Sequence, residues 1–184
     1  MAKQSYHHGD LKPVILAQAA TLVAERGADG ISLRELARVA GVSHAAPAHH
    51  FTDRRGLFTA LATEGFVLLA AALHEARPEF AHAARAYVQF ALAHPGHYAV
   101  MFDKVLYDAA DPALVAAEAS AAAELNSGVA TLTDPNAQAD PDGAALAAWS
   151  LVHGFALLTL NGAVAADGDP VDTAERIARI LFSG

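Results

Sequence analysis

Hydroxyl and imidazole groups are concentrated between residues 32 and 50, where they can bind phosphate and hydrogen-bond to the edges of bases. Ser32 and Ser43 each stand at the predicted N-terminus of a short helix. A hydroxyl beside unpaired backbone N–H groups favours a phosphate there. His44 and His49 lie on the second predicted helix, and a neutral imidazole can both donate and accept a hydrogen bond. This combination of groups is typical of a surface that binds nucleic acid.

The spacing around Gly41 predicts that two short helices meet at a sharp corner. Ala37 is small enough for the helices to touch, Gly41 can take the positive φ that the turn requires, and Val42 supplies an apolar anchor. The segment from Leu33 to His50 therefore fits a helix-turn-helix, whose second helix enters the major groove of DNA. The spacing by itself also fits an ordinary corner between two helices.

Residues on both sides of this corner resemble the N-terminal DNA-binding domain of the TetR/AcrR family of transcriptional regulators. The resemblance covers residues 10 to 60 nearly without gaps. It is carried by Leu16-Ala17, Leu22, Gly27, Ile31-Ser32, Leu36-Ala37, Ala40 to Ser43, His50-Phe51, Asp53-Arg54 and Leu57.

The resemblance implies two kinds of DNA contact. Arg34, His50 and Arg54 match family positions that lie along the DNA backbone, where Ser32 and Ser43 would also bind phosphate. Base edges would be read by the exposed side chains of the second helix, which are His44, Ala45, Ala46 and His49. The alanines offer methyl contact, which suits the C5-methyl group of thymine. For each of the two histidines a solvated surface position stays open as an alternative.

Two residues depart from the family's pattern. Most members carry a Tyr at the position of Ala48, where its hydroxyl donates to a phosphate, so one anchor to the DNA backbone is missing. Pro47 lacks the N–H that would bond to the carbonyl near Ser43, which predicts a distorted first turn of the second helix. These departures keep a second function open, that of a helical small-molecule-binding dimer that has lost specific DNA binding.

The C-terminal part of the chain resembles the subgroup whose effector domain is named for a Trp-His-Gly signature. The match rests on His94 to Tyr98 with Met101-Phe102, and on Trp149 to Gly154. Trp149 and His153 share a helix face and can bind a ligand by stacking and a hydrogen bond, although a packed core pair fits equally well. The other residues expected to line an effector pocket, each of them also a core candidate, are Tyr87, Phe90, Tyr98, Met101 and Phe102.

Two helices near the C-terminus predict a homodimer. Residues 144 to 165 are apolar almost all round, which a small monomer could not bury completely. The resemblance points to this helix and to residues 170 to 182 as a four-helix bundle across a two-fold axis. Such a dimer reads two half-sites of a palindromic operator. An unknown small-molecule effector would then favour one spacing of the recognition helices, and a ligand-responsive repressor is the function that we expect.

The composition favours an all-α fold. The chain has 184 residues, of which 46 are Ala, the residue with the best helix propensity. The apolar periodicity predicts about nine helices and no convincing strand. Residues 134 to 143 hold three Asp, two Pro and one Gly, which predicts a surface loop. We expect residues 1 to 55 to form the DNA-binding domain and residues 56 to 184 to form the effector-binding and dimerisation domain.

The net charge of −8 conceals a split along the chain. Residues 1 to 60 carry a formal charge of +2, whereas residues 61 to 184 carry −10. Such an asymmetry is consistent with nucleic-acid binding by the N-terminal part alone.

Several other classes of protein do not fit the sequence. The chain has no Cys, which excludes a disulfide scaffold and a thiolate zinc site. The longest apolar run, Phe66 to Leu73, has eight residues, whereas a membrane span needs roughly 18, so we expect no membrane segment and a cytoplasmic protein. Phosphate-loop, dinucleotide-binding and hydrolase motifs are absent, so we expect no enzyme activity, no cofactor and no metal.

Overall fold

The computed structural model describes residues 11–164 and 168–181, and every regular element in these ranges is an α-helix. The all-α prediction is confirmed. The ten helices of the described residues are α1 (Leu11–Arg26), α2 (Leu33–Val39), α3 (Ala46–Phe51), α4 (Arg54–Glu75), α5 (Phe80–Ala93), α6 (Pro95–Met101), α7 (Pro112–Val129), α8 (Pro135–Ala139), α9 (Pro141–Leu160) and α10 (Pro170–Leu181).

The segment expected to be a surface loop, residues 134 to 143, instead contains α8 and the start of α9. Each helix begins with an Asp-Pro pair. The Asp134 carboxylate accepts from the backbone N–H groups of Asn136 and Ala137, and the Asp140 carboxylate accepts from that of Gly143. Proline in the first turn costs no hydrogen bond, because the N–H at that position has no helical partner. The same residue types that signal a turn therefore start two helices here.

The helices form two compact units. The described residues of the first unit are 11–64 and 95–114, and those of the second are 65–94, 115–164 and 168–181. The predicted boundary at residue 55 stays a prediction. In the structure α4 runs without interruption from Arg54 to Glu75, and α6 belongs to the same unit as α1.

In the first unit α1 packs against α2, α3 and α6. Its core includes Ile15, Leu36 and Phe58, which are all fully buried. Helix α6 approaches α1 so closely that a Cβ added at Gly96 would lie 1.9 Å from the carbonyl oxygen of Ala20. Since that neighbour is backbone, only glycine fits between the two helices.

In the second unit α5 packs against α9 and α10. Ala174 and Ala178 of α10 are fully buried, which lets the helices approach closely. At the edge of this packing the Arg85 guanidinium of α5 bonds to the carboxylates of Asp172 and Glu175. The neighbouring Arg179, together with Arg85, lowers the pKa of the Glu175 carboxyl below its ordinary value. Because these ion pairs are largely exposed, they stabilise the unit less than the buried apolar contacts do.

The two helices predicted to form the dimer surface differ slightly from their predicted ranges. Helix α9 ends at Leu160 because Gly162 takes a left-handed conformation with a φ of 66°. Ala163 then donates its backbone N–H to the Leu158 carbonyl, which closes the helix end. Helix α10 extends to Leu181. Ala165 and Phe182, which end the two predicted helices, lie outside the described residues, as do residues 1–10, 166–167 and 183–184.

Two described helices are long and apolar enough to cross a membrane by length and composition alone. In α4, 56% of the most apolar window is buried inside the protein, as expected of a core helix. In α9 the buried share is only 22%, so this helix leaves apolar surface uncovered.

The contact at Gly96 makes a prediction about stability. Gly96→Ala should lower the free energy of unfolding by about 3 kcal/mol, because the new methyl group meets backbone that cannot move aside. Gly128→Ala in α7 is the matched control. A Cβ at that position meets only ordinary contacts at 3.6 Å or more, so the gain in helix propensity should stabilise the protein by about 0.5 kcal/mol. Chemical denaturation followed by circular dichroism measures both, and equal effects would contradict the close contact.

Candidate functional site

The corner between α2 and α3 has the geometry that the sequence predicts. The Ser32 hydroxyl accepts from the backbone N–H of Glu35 at 3.2 Å and caps α2. Gly41 has a φ of 68°, and the backbone N–H of Val42 donates to the Ala37 carbonyl at 3.0 Å. Ala37 is fully buried where the helices meet. The hydrogen bonds and the backbone conformation of this corner therefore confirm the helix-turn-helix prediction.

Helix α3 begins at Ala46, two residues later than predicted. Ser43 does not cap it with its side chain. The backbone N–H of Ala46 donates to the Ser43 carbonyl at 3.0 Å, a bond that spans three residues instead of four. Pro47 has no N–H with which to make the four-residue bond to the same carbonyl. The predicted distortion of the first turn is thus present, and its consequence is a shorter helix that starts after His44 and Ala45.

The residues predicted to contact DNA differ in exposure. Those that are exposed to solvent are Ser32, Arg34, Ser43, His44, Ala45 and His49. Ala46, His50 and Arg54 are partly buried. Exposed polar groups therefore occur at the start of α2, in the turn before α3 and on α3 itself, as contact with a phosphate backbone and with base edges would require.

The guanidinium of Arg54, whose expected contact with the DNA backbone stays a prediction, makes hydrogen bonds within the protein. Its Nε donates to the Ile31 carbonyl at 3.1 Å and its Nη2 to the Ala28 carbonyl at 2.8 Å. The guanidinium also lies 4.8 Å from the centre of the Phe58 ring. These contacts tie the start of α4 to the loop that precedes α2. These contacts of Arg54 therefore help to position the helix-turn-helix.

The corner between α3 and α4 contains a strained residue that the sequence does not reveal. Thr52 has a φ of 65° and a ψ of −59°, and the backbone N–H of Asp53 donates to the Phe51 carbonyl at 2.7 Å. This is a γ-turn with positive φ, which is rare for a β-branched residue. Asp53 then caps α4 by accepting from the N–H of Gly56 at 2.8 Å. A Cβ at Gly56 would lie 2.0 Å from the Phe51 carbonyl oxygen, so glycine is required there.

In the second unit Tyr87, Trp149 and His153 form a hydrogen-bonded cluster. The Trp149 indole N–H donates to the Tyr87 hydroxyl oxygen at 3.3 Å, and that oxygen lies 3.0 Å from Nδ1 of His153. Desolvation lowers the pKa of His153, which favours a neutral imidazole. The tautomer with its hydrogen on Nε2 accepts at Nδ1 from the Tyr87 hydroxyl. Tyr87 is almost completely buried, whereas 39% of the Trp149 surface is exposed.

The other residues predicted to line an effector pocket are distributed between the two units. Phe90 of α5 borders a groove of about 430 Å³ in the second unit. Tyr98, Met101 and Phe102 belong to the first unit, where the Tyr98 and Phe102 rings are 5.3 Å apart and Met101 is fully buried. His97, which the sequence did not single out as a site residue, is buried with its Nε2 2.9 Å from the Glu64 carboxylate.

Both parts of the chain match sequence models of one protein family. Residues 15–61 match the bacterial regulatory proteins of the tetR family, and residues 80–181 match a tetracyclin repressor-like C-terminal domain. The predicted Trp-His-Gly subgroup stays a prediction. A comparison with curated proteins gives no significant match.

Solved structures share the fold along the whole chain. A protein of unknown function from Rhodococcus sp. RHA1 is 41% identical, with a TM-score of 0.75 over 98% of this chain and 97% of its own. The TetR family transcriptional regulator PfmR from Thermus thermophilus is 20% identical, with a TM-score of 0.66 over 92% and 97%. The multidrug binding protein EbrR, complexed with imidazole, is 22% identical, with a TM-score of 0.62 over 100% and 98%.

The lowered pKa of His153 predicts how stability depends on pH. The ordinary pKa of a histidine is 6.5, so as the pH falls the unfolded chain takes up a proton at this side chain before the folded chain does. The free energy of unfolding should therefore fall as the pH is lowered from 7 to 5. His153→Gln should reduce this slope. Tyr87→Phe, which keeps the imidazole, should lower the free energy of unfolding by about 1 kcal/mol. This variant should still lose stability as the pH falls. Urea denaturation at fixed protein concentration measures the three proteins, and an unchanged slope in His153→Gln would refute the assignment.

Proposed function

Because the chain belongs to the TetR family of bacterial regulatory proteins, we propose that it is a ligand-responsive, sequence-specific repressor that binds DNA as a homodimer. The observation that carries this proposal is the short helix α3, which exposes imidazole and methyl groups and is held by a helix-turn-helix corner. We propose a cytoplasmic location and no catalytic activity.

The DNA contacts that we propose follow from the exposed residues. Arg34 and the hydroxyls of Ser32 and Ser43 bind phosphates, while His44 and His49 bond to base edges. Ala45 and Ala46 contact thymine methyl groups. His50, which is partly buried, lies near the end of α3 and completes the contacts with the DNA backbone. We assign Arg54 the positioning role that its bonds to two carbonyls support.

The dimer that we propose is formed by α9 and α10. Leu146 and Leu157 of α9 lie about three helical turns apart on one face, and their exposed fractions are 60% and 40%. On α10, 63% of the Ile180 surface is exposed. A second copy of this apolar surface would cover the first across a two-fold axis. Two copies of α3 would then face two half-sites of a palindromic operator.

The effector that we propose is a small organic molecule. The cluster of Tyr87, Trp149 and His153 combines an exposed aromatic edge with an imidazole that favours its neutral form, which suits stacking and one hydrogen bond. EbrR, a protein of the same fold, is a multidrug binding protein complexed with imidazole. Repression would be relieved if the effector and DNA favour different spacings of the two recognition helices.

The second candidate function is a small-molecule-binding dimer without specific DNA binding. It is supported by Ala48, which is exposed on α3 and has no hydroxyl for a phosphate, and by the shortened first turn at Pro47. A gel-shift assay with DNA from upstream of the protein's own gene separates the two functions. A shift that weakens with salt supports the repressor, whereas no shift with any upstream fragment supports the second candidate.

Substitution of arginines on α2 tests the DNA-binding surface. Arg34→Ala should weaken binding to the upstream DNA about tenfold and reduce the slope of log affinity against log salt by about 1, because one phosphate contact is lost. Arg38→Ala is the matched control, since Arg38 is exposed on the same helix and is expected to be solvated. Fluorescence anisotropy over a range of salt concentrations measures both slopes. Equal losses in the two variants would contradict the assignment of Arg34.

A charge placed on α9 tests the dimer surface. Leu157→Asp should convert the dimer into a monomer at micromolar concentration, because an unpaired carboxylate would be buried between the two copies. Val67→Asp is the control, since 54% of Val67 is exposed but it lies on α4. Analytical ultracentrifugation gives the mass of each variant. A dimeric Leu157→Asp, or a monomeric Val67→Asp, would show that the interface lies elsewhere.

A further inference from the structure

The first unit contains a groove of about 580 Å³ that shares only His50 with the DNA contacts proposed above. Its walls come from α1, from the corner between α3 and α4, and from the chain at residues 108–113. The volume lies in the range that accommodates a small organic ligand. Tyr87, Trp149 and His153 belong to the second unit, so this groove is distinct from the effector site proposed above.

One part of the groove wall is apolar. Leu16 and Phe51 border the groove and are almost completely buried, and Ala60 and Ala113 add methyl groups. An aromatic or aliphatic group of a ligand would be desolvated against these side chains, which favours binding.

Two of the three threonine hydroxyls that line the groove, those of Thr59 and Thr63, already donate their hydrogens within the protein. Thr59 donates to the Arg55 carbonyl and Thr63 donates to the Thr59 carbonyl, each at 2.8 Å. The Thr59 oxygen also accepts from the backbone N–H of Asp108 at 3.0 Å. These side chains therefore present acceptors, so a ligand that donates hydrogen bonds suits them better than one that accepts them.

Four carboxylates border the groove, and each has one oxygen in a contact within the protein. Oδ1 of Asp111 accepts from the N–H groups of Ala113 and Leu114, and Oδ1 of Asp108 accepts from that of Ala110. The other two are Asp53, which caps α4, and Glu64, which contacts His97. The described contacts leave the second oxygen of Asp108 and of Asp111 without a hydrogen-bond donor.

The charge of the groove is negative even though it lies in the unit with the DNA-binding helix. Lys12 and Arg55 are the lining residues with a permanent positive charge, against the four carboxylates. The ammonium of Lys12 is 5.9 Å from the centre of the Phe51 ring, at the apolar wall. An anion would therefore be repelled by more charges than would attract it, whereas a cation would be attracted.

We propose that this groove binds an organic cation, namely a protonated amine carried on a small apolar group. The apolar group packs against Leu16 and Phe51, and the ammonium donates to the free carboxylate oxygens of Asp108 and Asp111. The groove lies beside the corner that holds α3, so the site belongs to the same unit as the DNA-binding surface.

The test uses 2-phenylethylammonium as the probe and 3-phenylpropanoate as its anionic counterpart. Isothermal titration calorimetry with the full-length protein at pH 7 should show one saturable site per chain for the amine. The anion should bind at least about tenfold more weakly, because it cannot donate to a carboxylate. Absence of saturable amine binding, or equal affinity for the two probes, would overturn the proposal.

Matched aspartate variants locate the site. Asp111→Asn removes the charge and keeps an oxygen that can cap α7, and it should weaken amine binding about tenfold. Asp140→Asn makes the same change at the cap of α9, in the second unit, and should leave the affinity unchanged. Nuclear magnetic resonance should show amine-induced shifts at the backbone N–H groups of residues 51–60, 108–111 and 113. Shifts centred on the Trp149 indole, or wild-type affinity in Asp111→Asn, would refute this site, and neither readout depends on DNA binding.

Discussion

The position of the recognition helix depends on the two corners that hold it. Helix α3 has six residues, too few to be stable without packing around it. At one end Gly41 and the bond from Val42 to Ala37 close the turn from α2, and at the other Thr52 takes a strained γ-turn into α4. Strain of this kind persists only where the surrounding structure enforces it. The DNA-binding surface is therefore a property of the whole first unit and not of α3 alone.

Small residues allow the helices of each unit to approach closely. In the first unit Gly96 lets α6 lie directly against the backbone of α1, and Gly56 lets α4 begin beside the Phe51 carbonyl. In the second unit Ala174 and Ala178 of α10 are fully buried. The large number of alanines in the sequence is thus more than a signal of helix propensity. It reduces the distance at which helices pack, so the few large side chains fill the space that remains.

The first unit carries both a basic surface and an acidic groove, which the charge difference between the two parts of the sequence does not reveal. The N-terminal 60 residues have a small positive charge, yet a groove of the first unit has four carboxylates in its wall. Two of them, Asp108 and Asp111, come from a segment far along the chain. Exposed basic and imidazole groups, among them Arg34, Arg38 and His49, lie on α2 and α3. A single unit thus presents one surface that suits phosphate and a neighbouring groove that suits a cation.

The sequence by itself predicted the helical fold, the corner at Gly41, the cap at Ser32 and the distortion at Pro47, because each depends on residues within a few positions of one another. Tertiary structure decided what Arg54 contacts, since its carbonyl partners lie 23 and 26 residues earlier in the chain. It also decided that Tyr87 meets His153, 66 residues away, and that Gly96 lies against Ala20. The strain at Thr52 has no sequence signal, because threonine is not a residue that favours positive φ. Such features arise when distant segments pack together, and no local pattern records which segments those will be.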